Sequence, residues 1–285
     1  MAELLLLLLL LLLLSVVVAA ADTDNFVFAG CSLPKYDDGS AYGFNVNSLL
    51  SSLADAAASS SYGKLTSAAA SPSSPVYGLF QCRGDVPVPD CDSCVRSAVS
   101  QLHPICPSAA GATIQLDGCM MRYGNDSFIG KQDTNLLYKK CGPIPKNGYN
   151  ADLTGMRDDA LGSLQASGGT GGTYRNGAAG FVQAAAQCVG DISAKDCSDC
   201  VSSAVAQVKA ICGFAASGDV YLGKCFAKYY SSGFSGSSSS SSYYRPNNRG
   251  DDTTKTVAII IGLMAGIALL IIFLSFVRRA NNNGK

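Results

Sequence analysis

Twelve cysteines constrain this chain more than any other feature. They stand at positions 31, 82, 91, 94, 106 and 119, and again at 141, 188, 197, 200, 212 and 225. The second set follows the first at offsets of 110, 106, 106, 106, 106 and 106. Both sets contain the run C-x8-C-x2-C, at Cys82, Cys91, Cys94 and at Cys188, Cys197, Cys200. A fixed period of this kind marks an internal duplication, here of a unit of about 100 residues.

Three chemistries compete for these sulfurs. Each C-x2-C has zinc-ligand spacing, and each is also a dithiol of the thioredoxin type. The third reading, disulfides, is favoured because the count is even, each repeat closes on six, and the ends of the chain predict passage through an oxidising compartment. Bridges suit domains this small, each contributing roughly 2–4 kcal/mol by restricting the unfolded chain. Spacing alone leaves all fifteen connectivities of six cysteines open. Cys91 and Cys94, three apart at a predicted helix start, point to one side.

The ends are apolar. Leu4 to Leu14 are all leucine, and Val16 to Val18 and Ala19-Ala20-Ala21 follow after Ser15. An apolar core before an Ala-x-Ala site predicts a secretory signal over 1–21, with an uncleaved anchor as the alternative. Val257 to Val277 is a second apolar run of 21 uncharged residues. As a helix it spans about 31 Å, the thickness of a hydrocarbon core. Arg278 and Arg279 follow it, so residues 278–285 form a cytoplasmic tail and the N-terminal side lies outside, a type I single-pass topology. The polar tail disfavours a cleaved lipid-anchor signal. Ala258, Gly262 and Gly266 recur every four residues on one face of the span and offer a surface for transmembrane pairing.

Between the ends, helical spacing appears twice in each repeat. Leu49, Leu50, Leu53, Ala54 and Ala57 form one apolar face, with Asn45 or Asn47 as its expected cap; Leu153, Met156, Ala160, Leu161 and Leu164 form its counterpart. A second helix starts near each C-x2-C, its face being Val95, Ala98, Val99, Leu102 or Val201, Ala204, Val205, Val208. Strands are predicted over 75–82, 112–116 and 119–123, and over 181–188, 219–222 and 225–230. Two helices on one antiparallel sheet per repeat is an α+β arrangement.

With these cysteines at these distances, the chain resembles the plant ginkbilobin-type, stress-antifungal cysteine-rich domain over nearly all of Asn25 to Phe234. Two such domains followed by a single-pass anchor, a very short tail and no kinase are similar to the plasmodesmata-located proteins. The resemblance implies a sheet of about five strands with two helices in each disulfide-stapled domain. It also implies the bridges Cys31–Cys106, Cys82–Cys91, Cys94–Cys119, Cys141–Cys212, Cys188–Cys197 and Cys200–Cys225. The expected organisation is a signal peptide at 1–21, domain 1 at 22–128, a hinge at 129–135 short enough to force docking, domain 2 at 136–234, a Ser/Gly-rich linker at 235–256, a transmembrane helix at 257–277 and a tail at 278–285. Counted from Ser231, the linker has a coil reach of about 25–30 Å.

A mannose-binding branch of the family uses an Asn after the first cysteine, an Arg six before the last and a Glu five after it. Here those positions hold Ser32, Thr113 and Gly124, then Gly142, Asp219 and Tyr230. Neither domain keeps one member, and Ser, Thr and Gly cannot replace a charged hydrogen-bonding set.

Other sites are few. Asn125-Asp126-Ser127 is the one glycosylation triplet. His103 is the sole histidine and reads as a helix C-terminal residue. Gly168 to Gly172 lacks the Lys-Ser/Thr of a phosphate loop and reads as a connection. Glu3 is the only glutamate, so the mature chain has none to serve as an acid. No G-x-S-x-G or other catalytic constellation occurs, so no enzyme activity and no cofactor are expected. Lys plus Arg and Asp plus Glu both number 21, a balance that gives no support for nucleic-acid binding, so no nucleic-acid partner is expected. The expected partners are the membrane, other membrane or apoplastic proteins, and a second copy. The resemblance implies a non-enzymatic protein of plasmodesmata that modulates cell-to-cell trafficking through callose deposition and defence signalling. The alternatives are an apoplastic receptor or co-receptor for a peptide or glycan, and an antifungal mannose-binding lectin.

Overall fold

The structure, a computed structural model, describes residues 23–68, 75–145, 151–166 and 173–232. The signal segment, most of the linker, the apolar run with Ala258, Gly262 and Gly266, the tail and Gly168 to Gly172 lie outside the described residues. Among the described residues no helix is long and apolar enough to cross a membrane.

Domain 1 runs β1 (Phe26–Cys31), α1 (Ala41–Ala57), β2 (Tyr62–Ser67), β3 (Val76–Cys82), α2 (Val88–Ile105), β4 (Ala112–Leu116) and β5 (Cys119–Gly124). Domain 2 repeats the order as β6 (Leu136–Cys141), α3 (Ala151–Ala166), β7 (Tyr174–Ala179), β8 (Val182–Cys188), α4 (Ala194–Cys212), β9 (Ser217–Leu222) and β10 (Cys225–Ser231). Each domain holds one five-stranded sheet, ordered β1-β4-β5-β3-β2 and β6-β9-β10-β8-β7. Every neighbouring pair is antiparallel.

The central strands β4, β5 and β10 bury one face under the helices because their apolar residues alternate, whereas β3, β8 and β9 are buried over most of both faces. In β4 and β5, Ala112, Ile114, Leu116, Cys119, Met121 and Tyr123 are buried while the residues between them are part-exposed. Val95, Ala98 and Leu102 of α2 and Leu49 and Leu53 of α1 cover them. Domain 2 repeats the arrangement with Val201, Ala204, Val205 and Val208 over Val220, Ala227 and Tyr229. Burying one such side chain stabilises by about 1.5–3 kcal/mol. Tyr123 and Tyr229 donate their phenol protons to the carbonyls of Ala109 and Ala215, which satisfies two buried hydroxyls in the same way.

The edge strands β1, β2, β6 and β7 lie outside the stretches read as strands from periodicity. They carry no buried alternation; β2 shows only part-exposed and exposed residues. Pairing with a central strand, not a greasy face, holds them in place. The expected cap of α1 is corrected too. The helix begins earlier, with Ser40 accepting from the Gly43 amide at 3.2 Å, whereas Asn45 is buried inside the helix and Asn47 is exposed in it. Ser40 wins because its extended backbone leaves the side chain free to bond an amide of the first turn. In α4, Ser193 caps in the same way and also donates to the Asp196 carboxylate at 2.7 Å.

Six disulfides staple the domains, and none of the described cysteines is free. Cys82–Cys91 ties the end of β3 to the first turn of α2, and Cys94–Cys119 ties the next turn to β5. Cys31–Cys106 ties β1 to the far end of the helix. Cys188–Cys197, Cys200–Cys225 and Cys141–Cys212 do the same around α4. Each cysteine-bearing helix is therefore pinned at both ends to the sheet that it covers.

Candidate functional site

The two domains form one compact unit. Their joint is built from repeat-equivalent residues on both sides. Gln81 and Gln187 precede Cys82 and Cys188 by one position each. The Gly190 amide donates to Gln81 Oε1 at 3.0 Å, and the Gly84 amide donates to Gln187 Oε1 at 3.1 Å. Gln187 Nε2 also donates to the Cys82 carbonyl across the joint at 3.0 Å. Phe28 and Tyr138, each three positions before the first cysteine of its repeat, stack with ring centroids 5.3 Å apart. The duplicated chain thus carries its own isologous interface, the arrangement otherwise found between identical subunits.

Charged groups line the same joint. Lys140, Asp219 and Lys228 are consecutive cross-strand neighbours over β6, β9 and β10. Arg83, Asp85 and Asp117 approach from domain 1; Arg83 pairs with Asp85 at 2.6 Å and donates to the Asp117 carbonyl at 2.6 Å. Burial pushes the Asp219 carboxyl up to about 6, against the pull of Lys228 and Lys140 and with the help of Asp117. Burial, with Arg83 nearby, lowers Lys228. The cavity between the domains is only about 40 Å³, room for ordered water and nothing larger. The two sheets therefore meet with little space between them.

The segment between the domains is fastened as well. Phe128 is buried, with the Arg122 guanidinium 4.2 Å and the Lys224 ammonium 5.3 Å from its ring centre. Lys224 pairs with Asp191, both almost fully buried, and Asp191 also accepts from the Gly130 amide at 2.8 Å.

The positions of the mannose-type set come together at one end of each sheet, but their side chains do other work. Ser32 accepts from the Gly111 amide and donates to the Pro34 carbonyl, Thr113 donates to the Met121 carbonyl, and Gly124 ends β5. In domain 2, Asp219 belongs to the ionic row, Tyr230 donates to Gln183, and a side chain on Gly142 would strike Ser217. Asn125 is exposed in the turn after β5, and His103 is exposed in the last turn of α2. Among the described residues no group of three His, Cys, Asp or Glu could hold a metal. The joint residues Gln81, Gln187, Gly84 and Gly190 were missed by sequence reasoning. Their common offset of 106, beside cysteines with that same offset, was the available clue.

These features define a class: paired, disulfide-stapled α+β domains of one duplicated unit, docked about a local dyad. Residues 30–126 and 140–232 match the family model described as salt stress response/antifungal. The chain is 44% identical over 268 residues to plasmodesmata-located protein 6 of Arabidopsis thaliana, covering 93% of this chain and 92% of that protein. It is 40% identical to plasmodesmata-located protein 5 of the same plant, covering 90% of this chain and 86% of that one. The crystal structure of the tandem DUF26 ectodomain of the Arabidopsis cysteine-rich receptor-like protein PDLP8 superposes with a TM-score of 0.68 at 38% identity, covering 73% of this chain and 98% of that one. The corresponding PDLP5 ectodomain gives 0.67 at 40% identity, covering 73% and 99%. The chain belongs to the salt stress response/antifungal family and, within it, to the group of plasmodesmata-located proteins.

Proposed function

We propose that the chain is a non-enzymatic type I membrane protein of plasmodesmata that modulates cell-to-cell trafficking through the channel. Callose deposition and defence signalling are the routes we infer for it. In this reading residues 1–21 are removed, the paired domains at 22–128 and 136–234 face the apoplast, Asn125 carries a glycan, and residues 257–277 span the plasma membrane. Ala258, Gly262 and Gly266 give the span a face for pairing with other membrane proteins or a second copy.

The observation that supports this reading best is the extent of the similarity. It runs over 93% of the chain, well beyond the two folded domains, and over nearly all of a plasmodesmata-located relative. The experiment is to express the full chain with a C-terminal fluorescent tag in leaf epidermis. Puncta that coincide with callose staining, and reduced spread of a diffusible fluorescent protein on overproduction, are the expected results. A uniform plasma-membrane signal with unchanged spread would overturn the proposal.

A further inference from the structure

A polar cavity of about 370 Å³ lies beside the turn that follows β5. Its size falls within the range of small-molecule sites, about 300–1,000 Å³. Arg122 of β5, Asp126 and Asp133 of the segment between the domains, and Lys224 of the β9–β10 turn all line it. Ser32, Thr113 and Gly124 are not part of its wall. At the repeat offset of 106, Arg122 corresponds to Lys228 and Lys224 to Gly118, so the duplication does not build this wall a second time.

The wall is held in place but its polar groups are left unfilled. The Arg122 guanidinium lies on the Phe128 ring, 4.2 Å from its centre, which fixes its plane. The Asp133 carboxylate accepts from the Asn135 backbone amide at 3.1 Å and from the Asn135 side chain at 2.9 Å, and a side chain on Gly223 would strike it. Yet Arg122 meets Asp133 and Asp126 only at 3.6 and 3.7 Å, beyond hydrogen-bond range, and makes no hydrogen bond among the described residues. Lys224 is buried and has three N–H donors, of which one is used, on Asp191.

The charges decide what such a wall can take. Arg122, Lys131 and Lys224 are balanced by Asp126, Asp133 and the Asp191 partner of Lys224. A phosphate or carboxylate would be repelled by the two lining aspartates, and an amine by the three cations. A hydroxyl accepts from a guanidinium and donates to a carboxylate at once. Unfilled donors beside unfilled acceptors therefore select a ligand with neighbouring hydroxyls.

We propose that this cavity is a saccharide subsite that takes a neutral sugar ring, with Arg122 and Lys224 donating to its hydroxyls and Asp126 and Asp133 accepting from them. Two sources can supply the ring. Asn125 directly precedes the lining residue Asp126, so a glycan on Asn125 starts at the mouth and acts at high effective concentration. A free oligosaccharide enters from solution instead. The first source rests on the glycosylation of Asn125 proposed above, and the second does not, so the two can fail separately.

The test uses the paired domains alone, which form one compact unit and whose relatives crystallised in that form. They are secreted from insect cells with the parent sequence and with Asn125→Gln, and intact mass reports whether Asn125 is occupied. Amide hydrogen exchange is then followed in peptides covering residues 122–135. Slowing by about threefold or more is expected, either in the occupied protein relative to Asn125→Gln or in Asn125→Gln on adding millimolar chitobiose or laminaribiose. The first result assigns the attached glycan and the second a free sugar; if Asn125 is unoccupied, the free-sugar arm decides alone. Arg122→Met should abolish the slowing. Asp126→Ala alters an exposed side chain and keeps the acceptor triplet, so it should weaken the slowing by a smaller factor and keeps the test decisive if Arg122→Met misfolds. Exchange unchanged by the attached glycan and by both free sugars, equal slowing by inorganic phosphate, or slowing that survives both substitutions would each overturn the proposal.

Discussion

Gln81 and Gln187 stand 106 positions apart, and each accepts a backbone amide from the opposite domain, Gly190 for one and Gly84 for the other. Losing either side chain strands a backbone N–H inside the joint, which costs about 1–3 kcal/mol. Gln81→Ala and Gln187→Ala should each lower the melting temperature of the paired domains by several degrees. Differential scanning calorimetry checks this; unchanged melting in both would show that water replaces the bonds without loss.

The glycines of the same joint should behave unequally. A Cβ on Gly84 would lie 2.5 Å from Tyr174 Cβ and 2.8 Å from its Cγ, whereas one on Gly190 would meet Tyr62 Cγ no closer than 3.3 Å. Gly84→Ala should therefore be clearly more destabilising than Gly190→Ala. Denaturant midpoints of the two variants decide the order.

Asp219 makes the joint sensitive to pH. Its folded pKa of about 6 lies above the usual aspartate value of 3.8, so its contribution to stability is fully present below about pH 4 and is lost as pH rises through 6. The paired domains should be more stable at pH 5 than at pH 7. The swing from this group is at most about 2–3 kcal/mol, the full worth of a shift of that size. Asp219→Asn should flatten that segment of the profile, read by thermal melts from pH 4 to 7.5.

Lys224 and Asp191 form an ion pair under Phe128. Removing one charge leaves the other buried and unmatched, a loss of about 3–5 kcal/mol. Lys224→Met should be severe, and Lys224→Met with Asp191→Asn should recover part of it, because the amide oxygen of Asn can still accept from Gly130. Chemical unfolding of the three proteins measures the coupling.

The bridge Cys31–Cys106 closes 75 residues. On loop entropy its removal as a pair of alanines should cost about 4.5 kcal/mol, against about 2.6 kcal/mol from the same entropy for the nine-residue Cys82–Cys91 loop. Urea titrations of the first variant and the parent protein test the larger figure.

The duplication and the buried helices were legible because cysteine spacing and a 3.6-residue period survive any solvent environment. In β4, β5 and β10 the strands were legible for the same reason: Ile114, Met121 and Ala227 alternate with part-exposed neighbours. The edge strands were not, since Lys64, Leu65 and Thr66 are all exposed and leave no pattern to read. The cap of α1 was misplaced because Asn45 looks like a capping residue, yet it sits buried within the helix. The joint stayed hidden for a different cause. Gln81 and Gln187 are polar residues inside apolar strands, and only the three-dimensional meeting of the two copies shows what each one bonds.

Each copy hands the other the same two groups, a glutamine oxygen and a glycine amide. A substitution at Gln81 or Gln187 therefore unfastens one half of the joint and leaves its twin engaged, so the duplication gives the pair a second clasp that a module in single copy would lack.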